Sequence, residues 1–429
     1  MASDSRPHPT SPANPESPEA SRPLKVVLGV SGGIAAYKAC ELLRLFTESG
    51  HDLTVVPTAA ALQFVGAPTW AALSGKPVAT DVWQDVHRVP HVRIGQDADL
   101  VVVAPATADV LARAAHGLAD DLLTNTLLTA RCPVVFAPAM HTEMWEHPAT
   151  RENVATLRRR GSLVIEPAEG RLTGTDSGKG RFPDPAEIFE LARDVLSRAG
   201  AASRLDLAGR HVVVSAGGTR EYLDPVRFLG NRSSGRQGYA LARAAAARGA
   251  EVTLLTANAT LPDPAGVKVV HVETTAELRD AVLAATASAD AVVMAAAPAD
   301  YRPSKVSGTK IKKVDDESVP EIELEQNPDI LAEISHERVR PGAVIVGFAA
   351  ETGDASGSVL DLARAKLARK GCDLLVVNDV SGGKVFGSPE NEAVILDAAG
   401  AATPVPRGSK SALAHVVWDR VATLLDPPH

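Results

Sequence analysis

The chain has 429 residues, 45% of them hydrophobic but only 4% aromatic, and a formal net charge of −8. That length exceeds one ordinary core, so two domains are expected, their interiors built from Ala, Val, Leu and Ile. The acidic balance excludes a general nucleic-acid or membrane-surface binder, and any anionic substrate must be met by local basic clusters.

Three cysteines, Cys40, Cys132 and Cys372, lie far apart and form no CxxC pair. They fit a reducing compartment and argue against a cysteine zinc site or a disulfide framework. No apolar run reaches the roughly 18 residues of a membrane helix. No signal peptide precedes the first strand. A cytoplasmic protein without membrane or nucleic-acid partners is expected.

Along the chain, residues 1 to about 23 are rich in Pro, Ser and charge and read as a disordered tail. From Leu24, short apolar strands alternate with amphipathic helices, the pattern of a parallel sheet wrapped by helices. Strands are expected at 25–30, 52–57, 100–104, 134–137 and 163–165, with helices such as 33–46, 106–115 and 186–197. The small, polar segment 198–204 marks a boundary between a domain at 24–204 and another at 205–429. The second run places strands at 211–215, 251–256, 291–296, 344–348, 373–377 and 393–397. Its helices fall at 238–248, 276–287, 330–337, 360–370 and 412–424. Both halves read as doubly wound α/β domains, with no repeated motif joining them. Thr309–Lys313 and Glu321–Glu325 alternate around an acidic turn and read as an antiparallel hairpin projecting from the second domain.

The first strand ends in Gly29-Val30-Ser31-Gly32-Gly33, and Ala104-Pro105-Ala106-Thr107 opens a helix in the same way. Small residues at such turns let backbone N–H groups approach a phosphate, and two of them suggest a ligand crevice. A tight turn that needs small residues for packing explains either one alone. With Pro90-His91-Val92, Gly117–Thr124 and Pro138-Ala139-Met140-His141-Thr142-Glu143-Met144, these motifs occur in order. Together they resemble the FMN-dependent cysteine decarboxylases that make phosphopantetheine. The resemblance implies a flavodoxin-like fold with FMN held between subunits of a trimer. It implies FMN contacts from Ser31, Gly32, Gly33 and Ala104–Thr107. In that family a thiol is oxidised to a thioaldehyde, carboxylate is lost, and hydride returns to the enethiol.

By the same resemblance His91 is the catalytic histidine, and its ordinary pKa near ~6.5 suits proton transfer at neutral pH. His141, Met144, Asp176 and Arg181 are the implied substrate contacts. Two departures stand out. His141 replaces the family's asparagine, yet an imidazole can still donate to a carboxylate. The flap's proton-donating cysteine falls on Gly174 or Thr173, neither a thiol. Another acid or a water must then supply that proton, with Asp176 a candidate for positioning it.

In the second half, strand Val212–Val214 runs into Ser215-Ala216-Gly217-Gly218, then a loop with Arg220, Arg227 and Arg232, then Ser233-Ser234-Gly235 at a helix start. Unpaired N–H groups and the helix dipole favour an anion there. The glycine spacing is wrong for the dinucleotide fingerprint. The segment Asn231-Arg232-Ser233-Ser234-Gly235 resembles the signature of phosphopantothenate–cysteine ligases, and the likeness spans roughly residues 210–425. It implies activation of the phosphopantothenate carboxylate by CTP as an acyl-cytidylate, with Mg2+, followed by attack of the L-cysteine amine.

Asn231, Lys310 and Arg227 are then active-site groups. Met294, Ala295, Ala296, Asp300, Lys310, Asn327, Pro328, Asp329, Ile330, Phe348, Lys366 and Lys370 are nucleotide contacts, while the metal ligands stay unknown. The bland readings are a turn asparagine, a solvated charge run and a core phenylalanine. Asn327-Pro328-Asp329-Ile330 by itself reads as a helix start, capped by Asn327 with Pro328 at the first helical position. Lys366 and Lys370, four apart on one helix, repel by a few tenths of a kcal/mol (~0.2–0.5), which a bound anion would relieve.

The reading is a bifunctional coenzyme A biosynthesis enzyme acting on 4′-phosphopantothenate, L-cysteine and CTP. Its expected assembly is a homo-oligomer, with trimers of the flavin domain and dimers of the ligase domain. An active ligase fused to a flavin-binding domain with lost or altered decarboxylase activity is the alternative. A nicotinamide oxidoreductase is disfavoured for want of the GxGxxG spacing.

Overall fold

The computed structural model describes residues 22–78, 90–172, 176–198, 205–312, 321–351, 359–379 and 390–426. Residues 1–21 of the tail expected at 1 to about 23 lie outside that range, and Arg22 is already tied down by two hydrogen bonds to Asp99, at 2.9 and 2.7 Å.

The first half alternates strands β1 (Lys25–Val30), β2 (Asp52–Pro57), β3 (Leu100–Ala106), β4 (Val134–Pro138) and β5 (Leu163–Val164) with helices. These helices are α1 (Ala39–Glu48), α2 (Ala67–Ser74), α3 (Pro90–Asp97), α4 (Ala108–His116), α5 (Leu122–Thr129), α6 (Thr142–Glu146), α7 (Pro148–Arg159) and α8 (Pro185–Ser197). The sheet is parallel, in the order β2-β1-β3-β4-β5, so strand order reverses between β1 and β3. That is the flavodoxin-like order, which puts a ligand crevice at the reversal. A short antiparallel pair, β6 (Ala168–Arg171) and β7 (Ser177–Arg181), carries most of the segment that the resemblance reads as a flap.

The second half carries β8 (His211–Gly217), β9 (Arg220–Tyr222), β10 (Phe228–Gly230), β11 (Glu251–Ala257), β12 (Val267–Val272), β13 (Ala291–Met294), β14 (Tyr301–Pro303), β15 (Leu324–Gln326), β16 (Val344–Glu351), β17 (Leu374–Asp379), β18 (Glu390–Asp397) and β19 (Ala402–Ser409). Its helices are α9 (Arg236–Ala247), α10 (Thr275–Thr286), α11 (Ile330–His336), α12 (Val359–Lys370) and α13 (Lys410–Leu425). Sheet order is β12-β11-β8-β13-β16-β17-β18-β19. The first six strands follow the doubly wound Rossmann order, reversing between β8 and β13. Strands β18 and β19 add an antiparallel edge that a purely parallel reading lacks.

Alternation along β13 shows the layering. Ala291 and Val293 point into one core with α9 and α13, whereas Val292 and Met294 point into another with α10, α11 and α12. Trp418 is fully buried between α9 and α13, and its indole N–H is satisfied by the Leu241 carbonyl at 2.8 Å. Burying such a ring contributes about 2–3 kcal/mol, provided its N–H finds a partner.

Helix α8 joins the halves. Phe189 packs edge-on against Phe46 of α1 at 5.1 Å. The opposite face of α8 turns Glu187 toward Arg243 of α9 and Asp194 toward Ser411 of α13.

The hairpin needs correction. Strand β15 pairs antiparallel with β14, Arg302 opposite Glu325, and not with Thr309–Lys313. Arg302 and Ser304 supply the partners that make this register favourable: Arg302 to Glu325 at 2.7 Å, and Ser304 N–H to the Glu323 carbonyl at 3.0 Å. Residues 309–312 form no strand and pack instead on the Asp224 loop. Lys313 lies outside the described residues.

Candidate active sites

At the first strand-order reversal, a buried serine ties two loops together. Ser31 Oγ donates to the Pro105 carbonyl at 2.7 Å and accepts from Thr107 N–H at 2.9 Å. The Ser31 hydroxyl is therefore spent on scaffold. Thr107 caps α4, accepting from Val110 N–H. A Cβ on Gly32 would lie 2.3 Å from that of Ala60, so only glycine lets these loops approach. A Cβ on Gly33 would make only an ordinary contact, with Thr107 at 3.7 Å, and no side chain caps the helical turn it begins. Ala104 and Ala106 are buried within β3, so their contribution is backbone and shape. Ile34 and Tyr37 stand exposed beside this turn.

The flap packs on the loop after β4. Met140 N–H donates to the Gly180 carbonyl, and a Cβ on Gly180 would lie 2.2 Å from the Met140 carbonyl. His141 Nδ1 lies 4.0 Å from the Asp176 carboxylate, both exposed, with Met144 exposed nearby on α6. Thr142, which sequence reasoning passed over, has a buried hydroxyl without a partner among the described residues. Glu166 anchors the flap's base. Burial opposes its ionisation, but hydrogen bonds from Lys179 and Arg158 outweigh that and hold its carboxyl below the ordinary range. Arg181 lies over Gly170 at the end of β7. His91 sits in the first turn of α3 with its side chain outside the described residues, as are Thr173 and Gly174.

At the second reversal the same device recurs. Ser215, fully buried at the end of β8, accepts from Ala296 N–H at 3.1 Å and turns its hydroxyl toward Met294 Sδ at 3.7 Å. No repeated motif was read from the sequence, yet Val30-Ser31 and Val214-Ser215 do equivalent work.

Above Ser215 lies a cleft of about 770 Å³. Its walls bring together Asn231, Met294–Ala296, Asp300, Asn327–Ile330, Phe348, Lys366 and Lys370, segments separated by up to 139 residues. Asn231 Nδ2 donates to the Pro298 carbonyl at 2.8 Å, which fixes the carboxamide at the cleft.

Three expectations change. The cap of α11 is Asp329, not Asn327: Asp329 Oδ1 accepts from Ala332 N–H at 3.1 Å, while Asn327 is buried and donates to the Ala299 carbonyl. Pro328 accordingly precedes the helix. Lys370 is ion-paired with Asp329, so the protein itself relieves the repulsion from Lys366. Burial opposes ionisation of Asp329, but Lys370 and the Ala332 N–H hold its carboxyl below the ordinary range.

Arg227 and Lys310 lie outside the cleft wall, near each other. Buried Asp224 accepts from the N–H groups of Val226, Arg227 and Ile311 and pairs with Arg227 Nη1 at 2.8 Å. Arg227 also donates to the Ile311 carbonyl at 3.0 Å, so one carboxylate fixes both loops. Among the described residues no group of three His, Cys, Asp or Glu side chains could cage a metal. No described helix is long and apolar enough to cross a membrane.

Fold and sites define two fused α/β domains, each with a ligand crevice at its strand-order reversal. Residues 14–197 match the family model described as Flavoprotein, and residues 207–425 that of the DNA/pantothenate metabolism flavoprotein C-terminal domain. The chain is 60% identical to the coenzyme A biosynthesis bifunctional protein CoaBC of Mycobacterium tuberculosis, over 94% of this chain and 97% of that one. It is 40% identical to CoaBC of Bacillus subtilis over 93% and 97%. A solved C-terminal domain of CoaBC matches with 32% identity and a TM-score of 0.44, covering 52% of this chain and 99% of that one. The chain belongs to the CoaBC family of bifunctional coenzyme A biosynthesis enzymes, which join phosphopantothenoylcysteine decarboxylase and phosphopantothenate–cysteine ligase in one polypeptide.

Proposed function

We propose that residues 205–429 ligate 4′-phosphopantothenate to L-cysteine with CTP, and that residues 24–204 decarboxylate the product with FMN to give 4′-phosphopantetheine. The observation that carries this reading is the cleft above Ser215, which gathers twelve expected ligase residues from distant segments.

In the ligase half the pantothenate carboxylate attacks the α-phosphate of CTP, and pyrophosphate leaves. The cysteine amine then attacks the acyl-cytidylate carbonyl and releases CMP. The Asn231 carboxamide, held at the cleft by the Pro298 carbonyl, is a donor for the developing oxyanion. Lys366 and Lys370 face the nucleotide's phosphates across the cleft, Phe348 offers a flat face to the base, and Asp300 an acceptor to the sugar. Arg227 and Lys310, held by Asp224, add positive charge from one loop cluster. Mg2+ arrives with the triphosphate, since such ions keep mostly phosphate and water ligands.

In the flavin half, Gly32, Gly33 and Ala104–Thr107 fit a flavin phosphate. The uncrowded Gly33, with its nearest contact Thr107 at 3.7 Å, and its uncapped turn leave backbone donors available. FMN, when bound, supplies a reversible hydride acceptor for the decarboxylation. His91 moves a proton, while His141, Met144 and Arg181 orient the substrate. Asp176, 4.0 Å from His141, positions the acid that replaces the absent flap thiol. Exposed Ile34 and Tyr37 support a homo-oligomer that covers this crevice, with flavin-domain trimers and ligase-domain dimers. The enzyme acts in the cytoplasm.

Incubation with phosphopantothenate, cysteine, CTP and magnesium, followed by mass spectrometry, tests both halves. Phosphopantetheine is the expected product. Accumulation of phosphopantothenoylcysteine with FMN bound would reduce the first half to a flavin-binding domain. An Asp176→Asn variant is expected to release phosphopantetheine at least 10-fold more slowly, the usual range for a proton-transfer aid. A wild-type rate would clear Asp176 of that role.

A further inference from the structure

The oxyanion donor of the ligase half, Asn231, is fixed from behind the cleft wall. Its carboxamide gives one hydrogen to the Pro298 carbonyl at 2.8 Å, leaving a second for substrate. That carbonyl belongs to the peptide between Pro298 and Ala299, a planar unit whose C=O and N–H point in opposite directions. Whatever holds the Ala299 N–H therefore aims the Pro298 carbonyl.

The Ala299 N–H is held by a buried relay, none of whose members lines the cleft. It donates to Thr219 Oγ1 at 2.9 Å. Thr219 Oγ1 lies 2.9 Å from Thr275 Oγ1. Thr275 in turn donates to Glu221 Oε1, from its hydroxyl at 2.7 Å and from its N–H at 2.9 Å. Thr219 is 1% exposed, Thr275 0% and Glu221 5%, so bulk water does not compete for these groups.

The two ends of the relay set its direction. An amide N–H can only donate, and a carboxylate can only accept. Thr275 spends its one hydroxyl hydrogen on Glu221, so Thr219 must donate to Thr275 and keep a lone pair for Ala299. The bonds thus run one way, from Ala299 to Thr219 to Thr275 to Glu221, each polarising the next. Glu221 is itself anchored twice. It sits opposite Leu229 in the β9–β10 pair, and its carboxylate meets the first residue of α10, where the positive end of the helix favours its charge.

Asn327 clamps the same loop from the other side. Its side chain donates to the Ala299 carbonyl and its N–H to the Asp300 carbonyl, both at 2.9 Å. Gly218, next to Thr219, lets the backbone of Asn231 come close: a Cβ there would lie 2.5 Å from the Asn231 carbonyl oxygen. The backbone of Asn231 and the anchor of its carboxamide both rest on residues 218–219.

We propose that Thr219, backed by Thr275 and Glu221, is a positioning residue of the ligase: it aims the Pro298 carbonyl, and through it the Asn231 carboxamide, at the place where the oxyanion forms. The inference rests on the role given to Asn231 above. A donor fixed before the reaction needs no reorganisation as charge develops, whereas a swinging carboxamide does. The relay therefore acts on the transition state and not on substrate affinity.

Initial rates of CMP release by the full chain, with phosphopantothenate and CTP varied separately, test this. Thr219→Val keeps the side-chain shape and removes the hydroxyl. It should lower kcat about 10- to 100-fold, less than outright loss of an oxyanion donor, and leave both KM values within about twofold. Thr219→Ser, which restores the hydroxyl, should stay within about threefold of wild type. In an Asn231→Ala background, Thr219→Val should cost less than about twofold further, because the group it positions is gone. Thr275→Val breaks the relay one step farther from the cleft and carries the same test should Thr219→Val fail to fold. A folded Thr219→Val with wild-type kcat would overturn the proposal, as would raised KM values without loss of kcat. So would a full, independent loss in the Asn231→Ala background. Wild-type kcat in Asn231→Ala alone would instead remove the role given to Asn231, and the positioning role with it.

Discussion

The two strand-order reversals solve one problem with one device and then diverge. Ser31 and Ser215 each end the first strand of a half, and each binds the backbone of a loop across the reversal. Each loop is thereby held at its crevice. Beyond that point the halves differ. The flavin crevice has small residues, an uncapped turn and exposed apolar neighbours, so it relies on shape and backbone donors. The ligase cleft is walled by lysines and arginines from both faces of its sheet. A single bound cofactor needs a fitted surface. A polyanionic reaction needs distributed positive charge. That contrast explains how a chain of net charge −8 serves phosphorylated substrates.

Glycines at the two sites should break the comparison most sharply. Gly217 has φ +83, and a Cβ there would lie 1.9 Å from the Ala257 carbonyl oxygen. Gly217→Ala should therefore cost about 3 kcal/mol or more, read as a large drop in melting temperature or failure to fold. Gly33→Ala meets only an ordinary contact with Thr107 at 3.7 Å, so stability should hold while flavin absorbance in the purified protein falls. Loss of stability there instead would mean that Gly33 is scaffold.

The serine pair gives a middling effect. Ser31→Ala and Ser215→Ala each strand a part-buried N–H, costing about 1–3 kcal/mol in denaturant unfolding. If the device is shared, the two values should agree within about 1 kcal/mol, and only Ser31→Ala should weaken flavin retention.

The smallest effect concerns the helix between the halves. Burial pushes the Glu187 carboxyl up to about 7, against the pull of Arg243 3.6 Å away. Unfolded, the group titrates near ~4.3. The folded state thus keeps a proton that the unfolded chain releases. The associated stability is present below about pH 4.3 and is lost as pH rises through about 7. Glu187→Gln should stabilise the chain on the order of 1 kcal/mol at pH 8, with the difference vanishing near pH 4. An equal gain at both values would exclude the titration.

Much of the architecture was legible because strand and helix periodicities are local. Strand β1 and the start of β11 fall where apolar runs meet turn residues, and α12 follows its amphipathic spacing. What misled was pairing. Residues 309–313 alternate like a strand, yet β15 found its partner at Tyr301–Pro303, where Arg302 meets Glu325. Strands β12 and β19 were missed, being partly exposed edges with weaker apolar signals. The Asn327 cap failed for a similar reason: an asparagine, a proline and an aspartate in a row offer two caps, and the Ala299 carbonyl claimed the asparagine.

By itself the sequence determined two α/β halves and which turns carry glycines and arginines, since these follow from periodicity and residue type, while the family of each half came from the resemblance of its ordered motifs. Only the tertiary structure decided that Lys370 answers to Asp329, that Asp224 locks Arg227 to the loop of Lys310, and that Lys410 and Arg236 share a wall. Partner choice between charged side chains depends on distances of a few ångströms between segments up to 174 residues apart. No local pattern encodes those distances; the twist and strand order of the folded sheet set them.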